Sequence, residues 1–296
     1  VDVSIIIVNY NTYQYTCKCI ESVIKYTKGL SYEIILVDNA STECDPAKFT
    51  QAFPDIQLIV SPDNKGFTGG NNLGIKRAKG DFILLLNSDT ELTENSIATC
   101  FTFLKEHGDV GVVSCKLLFP DGTVQKQCQR FPSIGRTYIE LCRLHKLMPQ
   151  AMRGRVMQRN FFDHLSSIYT DSVWGAFFMF PPKVLDNFEG KVLPGDIFMY
   201  AEDLLWCLLI KRSGCKIYYD AETSVIHHLG VSSRSDTLQF KHQNEYDIMV
   251  KYYGKPYAKV LMLLRWKLYS TQLSNWAYYK PMRIISWNLL SKGRVA

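Results

Sequence analysis

The stretch DFILLLNSDTEL, residues 81–92, decides the reading of the chain. Residues 82–86 are uninterrupted apolar, the pattern of a strand covered on both faces, as in a parallel sheet. The run then stops at Asn87, Ser88 and Asp89. A carboxylate just past a buried strand has two uses: it caps the next helix, or it holds a divalent cation with help from water and phosphate oxygens. Both stay open on this stretch alone.

Working outward, VSIIIVNYN (3–11), YEIILVDNAS (32–41) and IQLIVSP (56–62) repeat the form of a short buried strand ending in polar residues. Helical spacing over 14–27 puts Cys17, Ile20, Val23 and Ile24 on one face. A glycine-rich stretch over 64–80 opens a short helix, 95–107 is a second helix, and VGVVSCKLLF (110–119) is a fifth strand. Strand and helix alternating at this spacing predict an α/β fold, a mostly parallel central sheet with helices on both faces. Ligands of such sheets bind beyond the carboxyl ends of the strands. Asn9-Tyr10-Asn11, Asp38-Asn39 and Asn87-Ser88-Asp89 gather there.

Residues 120–170 are less regular and rich in Arg and Lys. SVWGAFFMFPP (172–182) is again a buried apolar segment, 195–214 holds a turn, two acids and a helix, and 215–233 reads as two short strands leading to His227 and His228. The remainder is helical. One catalytic domain over 1–240 is expected, in two halves (1–119 and 120–240), followed by a helical extension over 241–296.

Nine scattered cysteines without a CxxC are read as reduced thiols of a cytoplasmic protein. No stretch approaches the roughly 20 apolar residues that cross a bilayer, and the first residues carry no leader pattern. Residues 248–296 contain nine Lys or Arg and no acid, so the basic excess points the tail toward an anionic surface and gives no reason to expect nucleic acid.

The glycine-rich stretch lacks both GxGxxG and GxxxxGK[ST], which argues against a dinucleotide-dependent dehydrogenase and a P-loop ATPase. Gly66, Gly69, Gly70 and Gly74 either bring backbone close to a ligand or form a plain loop before a helix. Glu202 and Asp203 open a helix, where acids are favoured, and one of them is also placed to take a proton from a hydroxyl. His227 is a structural histidine or a metal or phosphate contact.

Taken in order, SIIIVNYN, ILVDNAS, NKGFTGGNNLG, GDFILLLNSDTEL, WGAFFMF, FMYAEDLLWCLLIKRSG and VIHHLGVSS resemble the blocks of the family-two inverting glycosyltransferases of GT-A fold, over residues 4–233. The NSD form and the NKGFTGGNN loop look most like the rhamnosyltransferase-like branch. The resemblance implies a nucleotide-diphosphate sugar donor, dTDP- or UDP-linked, a divalent cation (Mg²⁺ or Mn²⁺), and a saccharide or lipid-linked acceptor. It implies Tyr10 near the base, Asp38 accepting from a pyrimidine, and Asn71, Asn72, Asn87 and Ser88 near the donor. Asp89 would be the metal ligand, with His227 near metal and diphosphate. Asp203 would be the general base, with Glu202, Trp174, Gly175 and Ala176 at the acceptor. Three positions depart from the family pattern: Asn87 replaces the first Asp of DxD, Leu205 stands where a second Asp is frequent, and Leu193-Pro194-Gly195 replaces Phe-Asp-Glu. A non-catalytic sugar-nucleotide or glycan binding module is the competing expectation.

In the tail, Tyr257, Val260, Leu261, Leu264 and Leu268 recur at helical spacing among Lys259, Arg265 and Lys267, with Trp266, Trp276 and Trp287 nearby. This pattern has two readings: a helix packed on the domain, or a helix lying on an anionic leaflet on the inner face of the cytoplasmic membrane.

Overall fold

The computed structural model describes residues 1–228, 237–271 and 276–294. They fall into two units. One comprises Val1–Gln129, Asp163–Phe198 and Glu202–Ser233; the other comprises Arg130–Phe162, Met199–Ala201 and Arg234–Ala296.

The first unit is built on β1 (Val3–Asn9). After α1 (Tyr13–Tyr26), β2 (Tyr32–Asp38) pairs parallel to β1. After α2 (Ala47–Ala52), β3 (Gln57–Val60) pairs parallel to β2. After α3 (Gly66–Ile75), β4 (Phe82–Asn87) pairs parallel to the other side of β1. Val3, Ile5, Ile6 and Ile7 are wholly buried, so the apolar run has no polar face because β1 has no solvent face. Side chains alternate along a strand. Ile5 and Ile7 pack with Cys19, Ile20 and Val23 of α1. On the other face, a Cβ at Gly74 would sit 2.5 Å from Ile6 Cγ2, and one at Gly70 would sit 2.8 Å from Val8 Cγ1. These two glycines bring α3 close to the sheet.

Register aligns the strand tips. Asn9 is opposite Asp38, and Val8 is opposite Asn87. β5 (Thr90–Leu92) follows β4 at once, then α4 (Ser96–Glu106) and β6 (Val110–Leu118). The chain next forms α5 (Ile134–Leu141) and α6 (Gln150–Met157) of the second unit. It returns through β7 (Ile168–Thr170), β8 (Phe177–Phe180), α7 (Glu202–Arg212) and β9 (Lys216–His227). The apolar segment at 172–182 supplies β8, which inserts antiparallel between β4 and β6 and buries all four of its residues. β9 pairs parallel with β6 and antiparallel with β5 and β7. The sheet is thus mixed, parallel from β3 through β4 and reversed at β8.

Residues 216–227 form one strand where the sequence suggests two. The pairing with β6 slips between Asp220 opposite Cys115 and Ser224 opposite Lys116, so the residues 221–223 form a bulge that imitates a turn in sequence. Residues 229–233 of the expected His segment lie outside the described residues.

The second unit is helical: α5, α6, α8 (Thr237–Tyr253), α9 (Lys255–Ser270) and α10 (Trp276–Lys292). Ala258, Leu261, Met262 and Leu268 are the buried face of α9, whereas Val260, expected on the same stripe, is exposed. The side chain of Trp276 lies outside the described residues. Inside the unit, Arg265 Nη1 donates to Glu245 Oε2 at 2.9 Å, with His242 Nδ1 3.9 Å from the same oxygen. Burial alone would raise Glu245, but the Arg265 charge, aided by His242 and Lys241, holds it down at about 2. Burial pushes His242 down to about 4; Glu245 opposes this, and Arg265, Lys241 and Arg159 reinforce it.

A histidine buried neutral binds its proton more readily when unfolded. Its contribution is therefore complete above the ordinary value near 6.5 and is lost as pH falls toward about 4. We expect thermal unfolding monitored by circular dichroism to show a falling Tm between pH 7 and 5, with a span of at most about 3 kcal/mol from this group. His242→Leu should flatten that slope. An unchanged slope would place the pH sensitivity elsewhere.

Candidate active site

The tips of β1 and β2 are joined by side chains. Asn9 Nδ2 donates to Asp38 Oδ1 at 2.8 Å and to Ser41 Oγ at 2.9 Å. Asn9 Oδ1 accepts from Thr12 N at 3.3 Å, Thr12 Oγ1 at 3.0 Å and Thr16 Oγ1 at 2.9 Å, which fixes the start of α1. Asp38 accepts from Ser41 N through its other oxygen at 3.1 Å and is almost fully buried. Thr12 Oγ1 lies 3.1 Å from Ser88 Oγ, so the network continues into the Asn87-Ser88-Asp89 turn.

Beyond that turn, β5 carries the chain against the end of β9. Thr90 pairs with His227, and His228 N donates to Asp89 O at 2.9 Å. His227 is oriented from behind by Gln125. The Gln125 amide nitrogen donates to two carbonyls, His227 O at 2.6 Å and Leu118 O at 3.3 Å. Carbonyls only accept, so the Gln125 oxygen is the atom that faces His227 Nδ1 at 2.8 Å. Nδ1 therefore carries a proton, and Nε2 of the neutral ring presents a lone pair. That lone pair faces Asn87 Nδ2 at 3.3 Å and Asp89 Oδ1 at 3.4 Å. Asn87 Oδ1 is buried and has no hydrogen-bond partner among the described residues. Two acceptor groups turned toward each other, beside an orphaned buried oxygen, form a donor set that suits a divalent cation. His228 is engaged elsewhere, with Nε2 2.8 Å from Glu91 Oε1.

On the other side, Asn87 N donates to Ala176 O at 3.0 Å. One residue back, Gly175 N donates to Asp203 Oδ2 at 3.3 Å, while Asp203 Oδ1 accepts from Leu204 N at 2.7 Å. Asp203 thus sits in the first turn of α7, tied through Gly175-Ala176 to the NSD turn. Glu202 beside it is buried, and Trp174 is half-buried against the sheet core. Tyr200 (φ 68°) and Ala201 (φ 72°) precede α7 in the left-handed region, an unfavourable pair that directs the chain into the helix.

The hydrogen-bonded run therefore brings together Asp38, Ser88, Asn87, Asp89, His227, Gly175, Ala176 and Asp203. Other expected residues are engaged differently. Asn71 donates to Phe67 O inside its own helix at 2.9 Å. Asn72 exchanges two hydrogen bonds with Leu193 backbone, at 2.8 and 2.9 Å, and so holds the 193–195 segment. Tyr10 is half-exposed in the turn after β1. Ser41, Thr12 and Gln125 do not stand out in the sequence. Asn39 grips the glycine-rich loop, donating to Asn64 Oδ1 at 3.0 Å and Gly66 O at 3.1 Å. Gly66 itself adopts φ +70° with its backbone against Phe198 O, which excludes a side chain there.

Two outcomes are expected. Asn9→Ala would remove one hydrogen bond from the buried Asp38 carboxylate and one from each of three hydroxyls, and chemical denaturation should read a loss of about 2–4 kcal/mol. Long-range ¹H–¹⁵N NMR should find His227 protonated on Nδ1, and Gln125→Leu should release it to a mixture of tautomers. An Nε2-protonated ring in the unaltered protein would contradict the geometry.

The model of glycosyl transferase family 2 matches residues 4–166. Among curated relatives, the O-antigen biosynthesis protein RfbC of Myxococcus xanthus is 26% identical over 222 residues, 74% of this chain and 16% of that protein. The low-salt glycan biosynthesis hexosyltransferase Agl10 of Haloferax volcanii is 25% identical over 236 residues, 77% of this chain and 67% of that protein. The chain spans only 16%, 35% and 14% of the first three curated relatives it matches. Among solved structures, the mannosyltransferase PcManGT from Pyrobaculum calidifontis, in complex with GDP-Man and Mn²⁺, superposes with TM-score 0.61 at 15% identity, covering 99% of this chain and 79% of that one. The likeness is one of fold, and the fold is the GT-A fold. With more than half of its residues inside the family match, the chain belongs to glycosyl transferase family 2.

Proposed function

We propose that the chain transfers a sugar, with inversion, from a dTDP- or UDP-linked donor to a saccharide or lipid-linked saccharide in cell-surface polysaccharide synthesis. The observation that carries this reading is the hydrogen-bonded run from Asp38 to Asp203 across the carboxyl edge of the sheet. RfbC and Agl10, named for O-antigen and glycan biosynthesis, support the polymer context.

Asp38 is set to accept from a pyrimidine, since each carboxylate oxygen keeps a second lone pair beyond its bond to Asn9 or Ser41. Tyr10 flanks the base. Asn71 and Asn72 support the donor side from α3, Asn72 by fixing the 193–195 segment. Asp89, His227 Nε2 and Asn87 Oδ1 are the groups that would hold Mg²⁺ or Mn²⁺; the bound cation would neutralise charge on the departing diphosphate. Ser88 keeps the turn in place through Thr12. Asp203 removes the proton of the acceptor hydroxyl as that oxygen attacks the anomeric carbon. Its bonds from Gly175 and Leu204 hold the carboxylate in position for this. Trp174, Gly175, Ala176 and Glu202 line the acceptor side. The basic segment 248–296 faces an anionic membrane surface where a lipid-linked acceptor is presented.

Release of nucleoside diphosphate from a donor panel, with Mg²⁺ or Mn²⁺, tests the reading. General base catalysis is typically worth roughly 10²–10⁴-fold, so Asp203→Asn should lower turnover by about that factor while donor affinity by calorimetry stays within about twofold. Asp89→Ala should abolish metal-dependent thermal stabilisation by the donor. Near-normal turnover in Asp203→Asn removes that residue as base. No diphosphate release from any donor favours a binding module.

A further inference from the structure

Charge is divided between the two units. The helical unit has 18 Lys and Arg against four Asp and Glu, and the sheet unit has 16 against 24. Net charges of +14 and −8 result, which together give the +6 of the chain. Residues 248–296 hold nine of those 18 basic residues. Another seven lie in residues 130–162, where Glu140 is the one acid.

Charge alone suits any polyanion; the apolar exposure narrows the choice. On α9, Val260 and Leu263 are exposed on the face opposite the buried Ala258, Leu261 and Leu268. On α10, Ile284 and Trp287 are each about half exposed, at 51% and 50%, one turn apart. The rings of Trp266 and Trp287 lie 5.4 Å apart, which joins the two stripes into one ridge. Exposed Lys259, Lys267 and Lys280 flank it. In the turn after α5, Leu147 is 82% exposed and Leu144 41%, interleaved with Arg143 and Lys146. α5 packs on α9. Single exposed apolar residues are ordinary, but a Trp-bearing ridge flanked by lysines is the surface of a helix that lies in a bilayer interface. A soluble polyanion would engage the charges and leave the leucines, isoleucine and tryptophan in water.

We propose that the helical unit is a docking module for an anionic bilayer, with the α9–α10 ridge at headgroup depth and the 143–147 turn as a second contact. The inference deepens the membrane reading of residues 248–296 and extends it to residues 130–162. It does not depend on which sugar is transferred.

Vesicle flotation tests it, with phosphatidylcholine alone and phosphatidylcholine mixed with phosphatidylglycerol. The protein should float with the mixed vesicles, remain behind with the neutral ones, and detach as NaCl screens the charge. L263D/I284D should weaken partition by at least about tenfold, and R143Q/K146Q/L147D by several-fold, with melting curves confirming that both variants fold. Full binding by the 143–147 variant, with loss in the ridge variant, overturns the extension and leaves the tail reading standing. Failure to float with either vesicle overturns both. Unchanged flotation of both variants, with inorganic polyphosphate competing fully, overturns the docking surface in favour of simple polyanion attraction.

Discussion

The bond between Asn9 and Asp38 is the constraint on which the rest of the site depends. Parallel pairing sets these residues opposite each other at the ends of two buried strands. An unpaired carboxylate in that position is costly, and the Asn9 amide offsets much of the cost while its oxygen fixes the first turn of α1. The same turn reaches Ser88 through Thr12, so the NSD turn takes its place relative to the tips of β1 and β2. Register therefore determines chemistry: a one-residue slip of β1 would move Asn9 off Asp38 and reverse its faces.

Two distant segments complete the constellation, and topology explains both. β5 pairs with β9, which sets His227 against Asp89. β8 inserts beside β4, and the residues just before it bond both to Asn87 and to Asp203. The sheet's reversal at β8 is thus what brings the 174–176 segment to the tip of β4. Gln125 contributes from behind by fixing the imidazole proton on Nδ1, a supporting contact of the kind that sets which ring nitrogen is available.

Much of this is legible in the sequence. Buried parallel strands have a distinctive form, and Asp38, Asn87 and Asp89 stand out because each interrupts an apolar run. Asp203 is legible as an acid at a helix start. Gln125, Thr12 and Ser41 are not, since a lone polar residue in a loop carries no periodic signal and its partner lies up to 102 residues away. The β9 bulge is hidden because 220–223 has the composition of a turn. In α9, apolar spacing marks a stripe correctly at Leu261 and Leu268 but includes Val260, which the helix turns outward. The glycines of α3 are ambiguous between ligand and packing; at Gly70 and Gly74 the close neighbour is β1.

The most direct test is a crystal grown with Mn²⁺ and uridine or thymidine diphosphate, with anomalous scattering recorded from the manganese. The geometry of the site predicts a peak between the Asp89 carboxylate and His227 Nε2, with the pyrimidine against Asp38 and the diphosphate toward the NSD turn. Manganese bound away from those two side chains, or a nucleotide lying off the tips of β1, β2 and β4, would contradict it.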